Sequence, residues 1–201
     1  MAMHMSVPPS LREDPRWTRL VDLVRELAFI DGGNDQAFTL ASGRTSRWFF
    51  DMKPVMMNPE AGRLVGQLMN ARCDDIGADF VGGLELGAVP LAALVIATDF
   101  TSDRLGFMVR KLAKGRGGRK TNNPPGIEGA SIANGGRVII LEDVTTTGGS
   151  AIQAVKRIEQ ETSCEVVAVI SILDREEGGK EAFAEAGISF ESLLVRSDIS
   201  G

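Results

Sequence analysis

Long apolar runs are missing from the chain. The longest stretch without a polar side chain, residues 86–97, is far short of the ~20 residues that a helical bilayer crossing needs. The opening residues contain no apolar core of the kind a secretion signal carries. Cysteine is scarce: Cys73 and Cys164 are the only two, and they lie far apart. A disulfide between them and two buried free thiols in a reducing cytoplasm are both open, the second being favoured. The single histidine, His4, falls in an irregular opening segment and is assigned no function. No Gly-Lys-Ser/Thr follows a glycine loop and no GxGxxG follows a strand, which argues against a P-loop and a nicotinamide-binding turn. Repeats and linkers are absent as well, so a single domain over residues 1–201 is expected. A net charge of −5 argues against a general nucleic-acid binder, and nothing points to a membrane.

The charge is unevenly spread. Residues 104–120 hold seven basic side chains (Arg104, Arg110, Lys111, Lys114, Arg116, Arg119 and Lys120) and no acid. Taking those seven from −5 leaves −12 for the rest. A local cationic segment on an acidic body suits a compact anionic ligand better than a long duplex.

Hydrophobic spacing predicts an amphipathic helix over residues 15–29, two strands at 37–40 and 48–52 around the turn Ser42-Gly43-Arg44, and a helix from about 58 to 76. Strands at 79–83, 106–110, 137–141, 165–173 and 189–195 then alternate with helices at 90–99, 150–159 and 180–186. Alternation of this kind predicts an α/β fold with a mainly parallel central sheet flanked by helices. Residues 115–123 are too polar to pack and are expected to be mobile.

The most informative run is 137–150. After Arg137, four apolar, largely β-branched residues lead into Glu142 and Asp143, and then come Val144, Thr145, Thr146, Thr147, Gly148, Gly149 and Ser150. In an open α/β sheet, ligands bind outside the carboxyl ends of the strands. Residues 145–150 can offer successive backbone N–H groups, and a helix starting near Ser150 adds its positive end, which together suit a phosphate monoester. The two acids would repel a phosphate, so they face sugar hydroxyls, a metal, or both. Acids followed by an anion cradle describe a ribose 5-phosphate site.

Residues 138–150 resemble the phosphoribosyl pyrophosphate motif of the type I phosphoribosyltransferases, and the closest likeness within that group is to orotate phosphoribosyltransferase. Four further segments resemble that family in the expected order: Phe38 to Asp51 as its N-terminal hairpin, 82–91 as its second glycine loop, 109–117 with 127–129 as its catalytic loop and exit, and Leu173-Asp174-Arg175 with its following glycines as its late Asp-Arg turn. The resemblance covers roughly residues 20–195. It implies the type I phosphoribosyltransferase fold with a small hood over residues 1–35 and a catalytic loop over 111–129, and transfer of ribose 5-phosphate to orotate in pyrimidine (UMP) biosynthesis.

The same resemblance supplies roles. Glu142 and Asp143 would face the ribose diol, directly or through Mg²⁺ held mainly by substrate, with no protein metal ligand assigned. Residues Val144, Thr145, Thr146, Thr147, Gly148, Gly149 and Ser150 would hold phosphoribosyl pyrophosphate by its 5'-phosphate, and Arg110, Lys111, Lys114 and Arg116 would take its pyrophosphate. Lys114, Glu142 and Asp143 are the candidate catalytic groups. Thr146, Arg175, Phe49 and Phe50 would meet orotate, with Ser42 and Gly43 lining the pocket. Plainer readings are an ion pair of Arg175 with Glu176 or Glu177, and ordinary strand roles for the two phenylalanines. The chain departs from the family in three places: Arg116 stands where many relatives carry His, Leu86 where some carry a pyrophosphate-binding Lys, and residues 120–125 lengthen the loop. A homodimer with the loop reaching the neighbouring site, and a cytoplasmic location, are further expectations. The rival readings are a purine or other base phosphoribosyltransferase and, more remotely, a regulator that senses phosphoribosyl pyrophosphate.

Overall fold

The computed structural model describes residues 6–33, 38–39, 45–112 and 121–200. The order of elements is α1 (Pro9–Arg12), α2 (Pro15–Leu27), β1 (Phe29–Asp31), β2 (Phe38–Thr39), β3 (Thr45–Ser46), β4 (Trp48–Phe50), α3 (Lys53–Met56), α4 (Pro59–Ile76), β5 (Phe80–Leu84), α5 (Ala88–Thr98), β6 (Leu105–Val109), β7 (Ile127–Gly129), β8 (Gly136–Thr145), α6 (Gly149–Glu161), β9 (Cys164–Asp174), α7 (Gly179–Glu185), β10 (Phe190–Val195) and α8 (Arg196–Ser200).

Helix starts follow local chemistry. Asp14 accepts the Arg16 N–H ahead of α2, and Asn58 accepts the N–H groups of Glu60 and Ala61 ahead of α4. Each cap is followed by a proline, whose missing N–H costs nothing in a first turn. The main sheet runs β10-β9-β8-β5-β6-β7, parallel except for the edge strand β7. Along β8, Ile139 and Leu141 pack with α2, α4 and α5, while Val138 and Ile140 pack with α6 and α7. Both faces of the strand are therefore covered, which explains its unbroken apolar run.

Three expectations are corrected here. Strand β4 pairs antiparallel with β1, whereas the short β2 pairs with β3, so the hood is two small ribbons. Arg104 belongs to the interior: its guanidinium is buried and donates to Asn70 Oδ1 at 2.6 Å, to Asp74 Oδ1 at 2.5 Å and to the Ala78 carbonyl at 3.2 Å. Its charge is spent on the fold and does not count toward an anion site. Of the stretch 115–123, residues 115–120 lie outside the described residues, but its end is packed: Asn123 is buried, donates to the Ala130 carbonyl and accepts the Ile132 N–H, each at 2.8 Å. Both cysteines are free and buried, and burial pushes the Cys73 thiol up to about 12.

Candidate active site

Strands β5 and β8 are neighbours from which the chain departs in opposite directions, β6 to one side and β9 to the other. At this switch point, beyond the carboxyl ends of the strands, lies a cavity of ≈ 590 Å³. Its floor is continuous from Glu142 to Ser150, and Lys53, residues 84–87 and Lys111 complete its wall.

Strand β8 runs on as far as Thr145, so Glu142 and Asp143 stand on its last turn of pleat. Burial pushes the Glu142 carboxyl up to about 8, the charge of Asp143 and a hydrogen bond with it add to this, and Lys111 opposes it. Asp143 accepts the Val144 N–H at 3.0 Å. The second glycine loop fits against Asp143 so closely that a Cβ on Gly87 would lie 2.4 Å from its carboxylate. The loop then turns at Gly148, whose φ of 76° is comfortable only for glycine. Helix α6 starts there, aiming its free N–H groups into the cavity. The site thus sets an anion cradle about one strand-end away from two carboxylates, as a sugar phosphate requires.

Among the sequence-derived site residues, the structure brings together Glu142, Asp143, Val144, Thr145, Thr146, Thr147, Gly148, Gly149, Ser150 and Lys111. Lys111 donates its backbone N–H to Glu85 Oε1 at 2.8 Å. Arg110 stays outside the cavity wall, its guanidinium 3.7 Å from Glu128 and 3.9 Å from Glu85. Phe50 is buried against Phe29, ring centroids 5.1 Å apart, and Phe49 packs on Phe38 at 5.6 Å. Arg175 is also outside the wall. Its backbone N–H reaches the Thr145 carbonyl at 2.9 Å, but its guanidinium turns away to Ser46 Oγ (3.0 Å), the Trp48 carbonyl (2.9 Å) and Glu177 (2.8 Å). Asp174 before it is tied to the chain start by Ser6 Oγ at 2.9 Å. Lys114, Arg116, Ser42 and Gly43 lie outside the described residues.

Lys53 was not singled out from the sequence. It lines the cavity, and its ammonium donates to Asp51 Oδ1 at 2.9 Å. That hydrogen bond raises its pKa, partial burial opposes, and the charges of Asp51 and Asp143 add to the rise. The available signal was its position just after Asp51 in the hood segment. Glu85, too, was visible only once the fold showed its carboxylate anchoring Lys111.

The fold is that of the type I phosphoribosyltransferases: a phosphoribosyltransferase from Corynebacterium diphtheriae superimposes with a TM-score of 0.77 at 30% identity, over 94% of this chain and 100% of that one. Orotate phosphoribosyltransferase of Mycobacterium tuberculosis H37Rv, solved in complex with 5-phospho-alpha-D-ribosyl 1-diphosphate, matches with a TM-score of 0.74 and 32% identity, covering 93% of this chain and 100% of that chain. In sequence, the orotate phosphoribosyltransferase of Rhodopseudomonas palustris (strain BisB5) is 43% identical over 182 residues, 90% of this chain and 94% of the relative. No protein-family model matches. The chain belongs to the orotate phosphoribosyltransferase family.

Proposed function

We propose that the chain joins N1 of orotate to the anomeric carbon of phosphoribosyl pyrophosphate, releasing pyrophosphate and forming orotidine 5'-monophosphate, a pentosyl transfer of pyrimidine biosynthesis. The observation that carries this reading is the continuous cavity floor from Glu142 to Ser150, with Lys53 and Lys111 facing it. The floor and the cations match the two charged ends of one donor molecule, the 5'-phosphate on the α6 cradle and the pyrophosphate toward the lysines.

The chemistry asks for orientation and charge stabilisation rather than covalent work. As pyrophosphate departs, positive charge develops on the ribose, as in glycoside cleavage. Glu142 and Asp143, which line the cavity, would face that charge and the ribose hydroxyls. Lys53, Lys111 and, from the loop outside the described residues, Lys114 and Arg116 would neutralise the departing pyrophosphate, with Arg110 at the root of that loop. Thr146 touches the acceptor end. Phe49 and Phe50 shape the hood from their strand. Arg175 takes the orotate carboxylate in place of Glu177, a like-for-like exchange of one carboxylate for another.

Mg²⁺ fits this set of groups. Glu142 and Asp143 line the cavity and offer hard oxygen donors, and the ion would be held mainly by the substrate's own oxygens. The ion would supply charge neutralisation on pyrophosphate. The proposal also includes a homodimer, with the loop that carries Lys114 and Arg116 reaching the neighbouring site and ending before residues 127–129, which form β7 of the main sheet, and a cytoplasmic setting that suits two free buried thiols. No helix among the described residues is long and apolar enough to cross a membrane.

Orotate absorbance provides the test: it should fall only when phosphoribosyl pyrophosphate and Mg²⁺ are both present. An unchanged spectrum with all components would overturn the substrate assignment. Within the same assay, Lys53→Ala should raise KM for phosphoribosyl pyrophosphate roughly tenfold, the worth of one charged hydrogen bond, and leave KM for orotate unchanged. Lys53→Arg should recover most of the loss. Equal KM values for the alanine variant and the parent would remove Lys53 from the donor site.

A further inference from the structure

Helix α6 begins at the phosphate cradle, and two turns later Arg157 reaches from it to the chain just after β6 and just before β7. Its Nη1 donates to the Arg110 carbonyl at 2.7 Å, its Nη2 to the Pro125 carbonyl at 2.5 Å, and its Nε to Glu161 Oε1 at 3.1 Å. Arg110 in turn donates its N–H to the Gly126 carbonyl at 2.8 Å. One planar guanidinium therefore spans the place where the chain leaves β6 and the place where it returns to β7, a fixed two-pronged geometry that lysine cannot reproduce. The side chain is largely buried, with 19% exposure. Arg157 touches no cavity surface described above, so its influence on the site passes through the backbone it holds.

We infer that Arg157 is a positioning residue for the transfer reaction, fixing the exit of the chain at Arg110 so that Lys111 stands at a set distance from the phosphate cradle on the same helix. The inference rests on reading the cavity as the donor site. A donor charged at both ends is held productively only when its 5'-phosphate subsite and its pyrophosphate subsite keep their spacing, and small misplacements of such groups cost orders of magnitude in rate. Helix α6 carries the first subsite at its amino end, and through Arg157 it holds the root of the second. Lys111 has a tether of its own, its N–H to Glu85, and the Arg110 N–H holds the Gly126 carbonyl; Arg157 adds the link that ties this point to α6. Through the Pro125 carbonyl, Arg157 fastens the returning chain to the same point as the outgoing strand.

Steady-state kinetics and amide hydrogen exchange on Arg157→Ala and Arg157→Lys test the inference. For the alanine variant, kcat/KM for phosphoribosyl pyrophosphate should fall roughly ten- to a hundredfold, with KM for orotate and the melting temperature near the parent values. Exchange should quicken at residues 110–112 and 126–127 and stay unchanged at 146–150. Lysine can reach one carbonyl at a time, so it should recover only part of the loss. Parent-like kcat/KM in the alanine variant would overturn the inference. So would a loss shared equally by both substrates and accompanied by a large fall in melting temperature, since that marks a merely structural contact. The exchange pattern needs no turnover: an inactive parent protein would overturn the orotate reading, whereas unaltered exchange at 110–112 in the alanine variant would overturn the role of Arg157 alone.

Discussion

Replacing Gly148 by valine is expected to lower kcat/KM for phosphoribosyl pyrophosphate about a hundredfold or more while leaving the chain folded. Gly148 sits at φ 76° and ψ −3°, the left-handed corner from which α6 starts. An L-residue there costs roughly 1–2 kcal/mol, and a β-branched one more. Space is short as well. A Cβ at this position would lie 3.1 Å from the ring tip of Phe183, which is fully buried and stacked on Phe190 with centroids 4.6 Å apart. That ring has nowhere to go, so the loop must move. Its N–H groups would then point away from the phosphate, and an error of about 1 Å in such a cradle is enough for a hundredfold loss. A melting curve should show a drop of only about 2–8 °C for a chain of this size. Unaltered kcat/KM for the donor would show that the 148–150 turn does not hold the phosphate. Gly148→Ala, lacking the branch, should fall between the two.

Much of this loop was legible before the fold was known, for a physical reason. A strand covered on both faces must be apolar without alternation, and a run such as Val138 to Leu141 stands out; glycines and hydroxyls directly after it can serve few ends other than a tight anion-binding turn. Helices α2 and α4 were equally visible, because caps and apolar spacing are local. The hood was less so. Strands of two or three residues carry no periodicity, and whether Trp48–Phe50 joins β2 or β1 depends on what the rest of the chain buries. Side-chain partners were the least legible. Arg104 looked like part of a cationic segment until Asn70 and Asp74 were seen around it. Arg175 is joined to Thr145 through its backbone, and its guanidinium pairs with Glu177, the plainer of the two sequence readings, while its contacts with Ser46 and Trp48 left no trace in the sequence. Lys53 left only its place after Asp51 at the start of α3, and Arg157 left no signature, since it acts through backbone carbonyls, which any residue can present.

The carboxylate pair carries a cost that can be measured. Glu142 is held neutral to about pH 8, first by burial and then by Asp143, against an ordinary value of 4.5. An acid whose folded pKa is raised binds its proton more tightly in the native state than in the unfolded one. Below pH 4.5 both states are protonated and the group makes no difference. Between 4.5 and 8 the unfolded chain sheds its proton and the native chain keeps it, so stability falls as pH rises. A span of 3.5 units sets an upper bound of roughly 5 kcal/mol, reduced by solvent reaching the cavity. Glu142→Gln keeps the shape and abolishes the titration. The variant should therefore melt higher than the parent, and the gap should widen steadily from pH 5 to pH 8. Its activity should move the other way, falling about a hundredfold as the group facing the developing ribose charge is lost. The parent's kcat/KM for phosphoribosyl pyrophosphate should climb toward pH 8, because donor and metal favour the ionised carboxylate, and that climb should vanish in the variant. Melting curves of parent and variant that run parallel from pH 5 to 8 would show that Glu142 is already ionised in the free protein. A widening gap together with a lost pH limb would identify the same carboxylate as the source of both the instability and the rate, a trade of stability for function at the sugar.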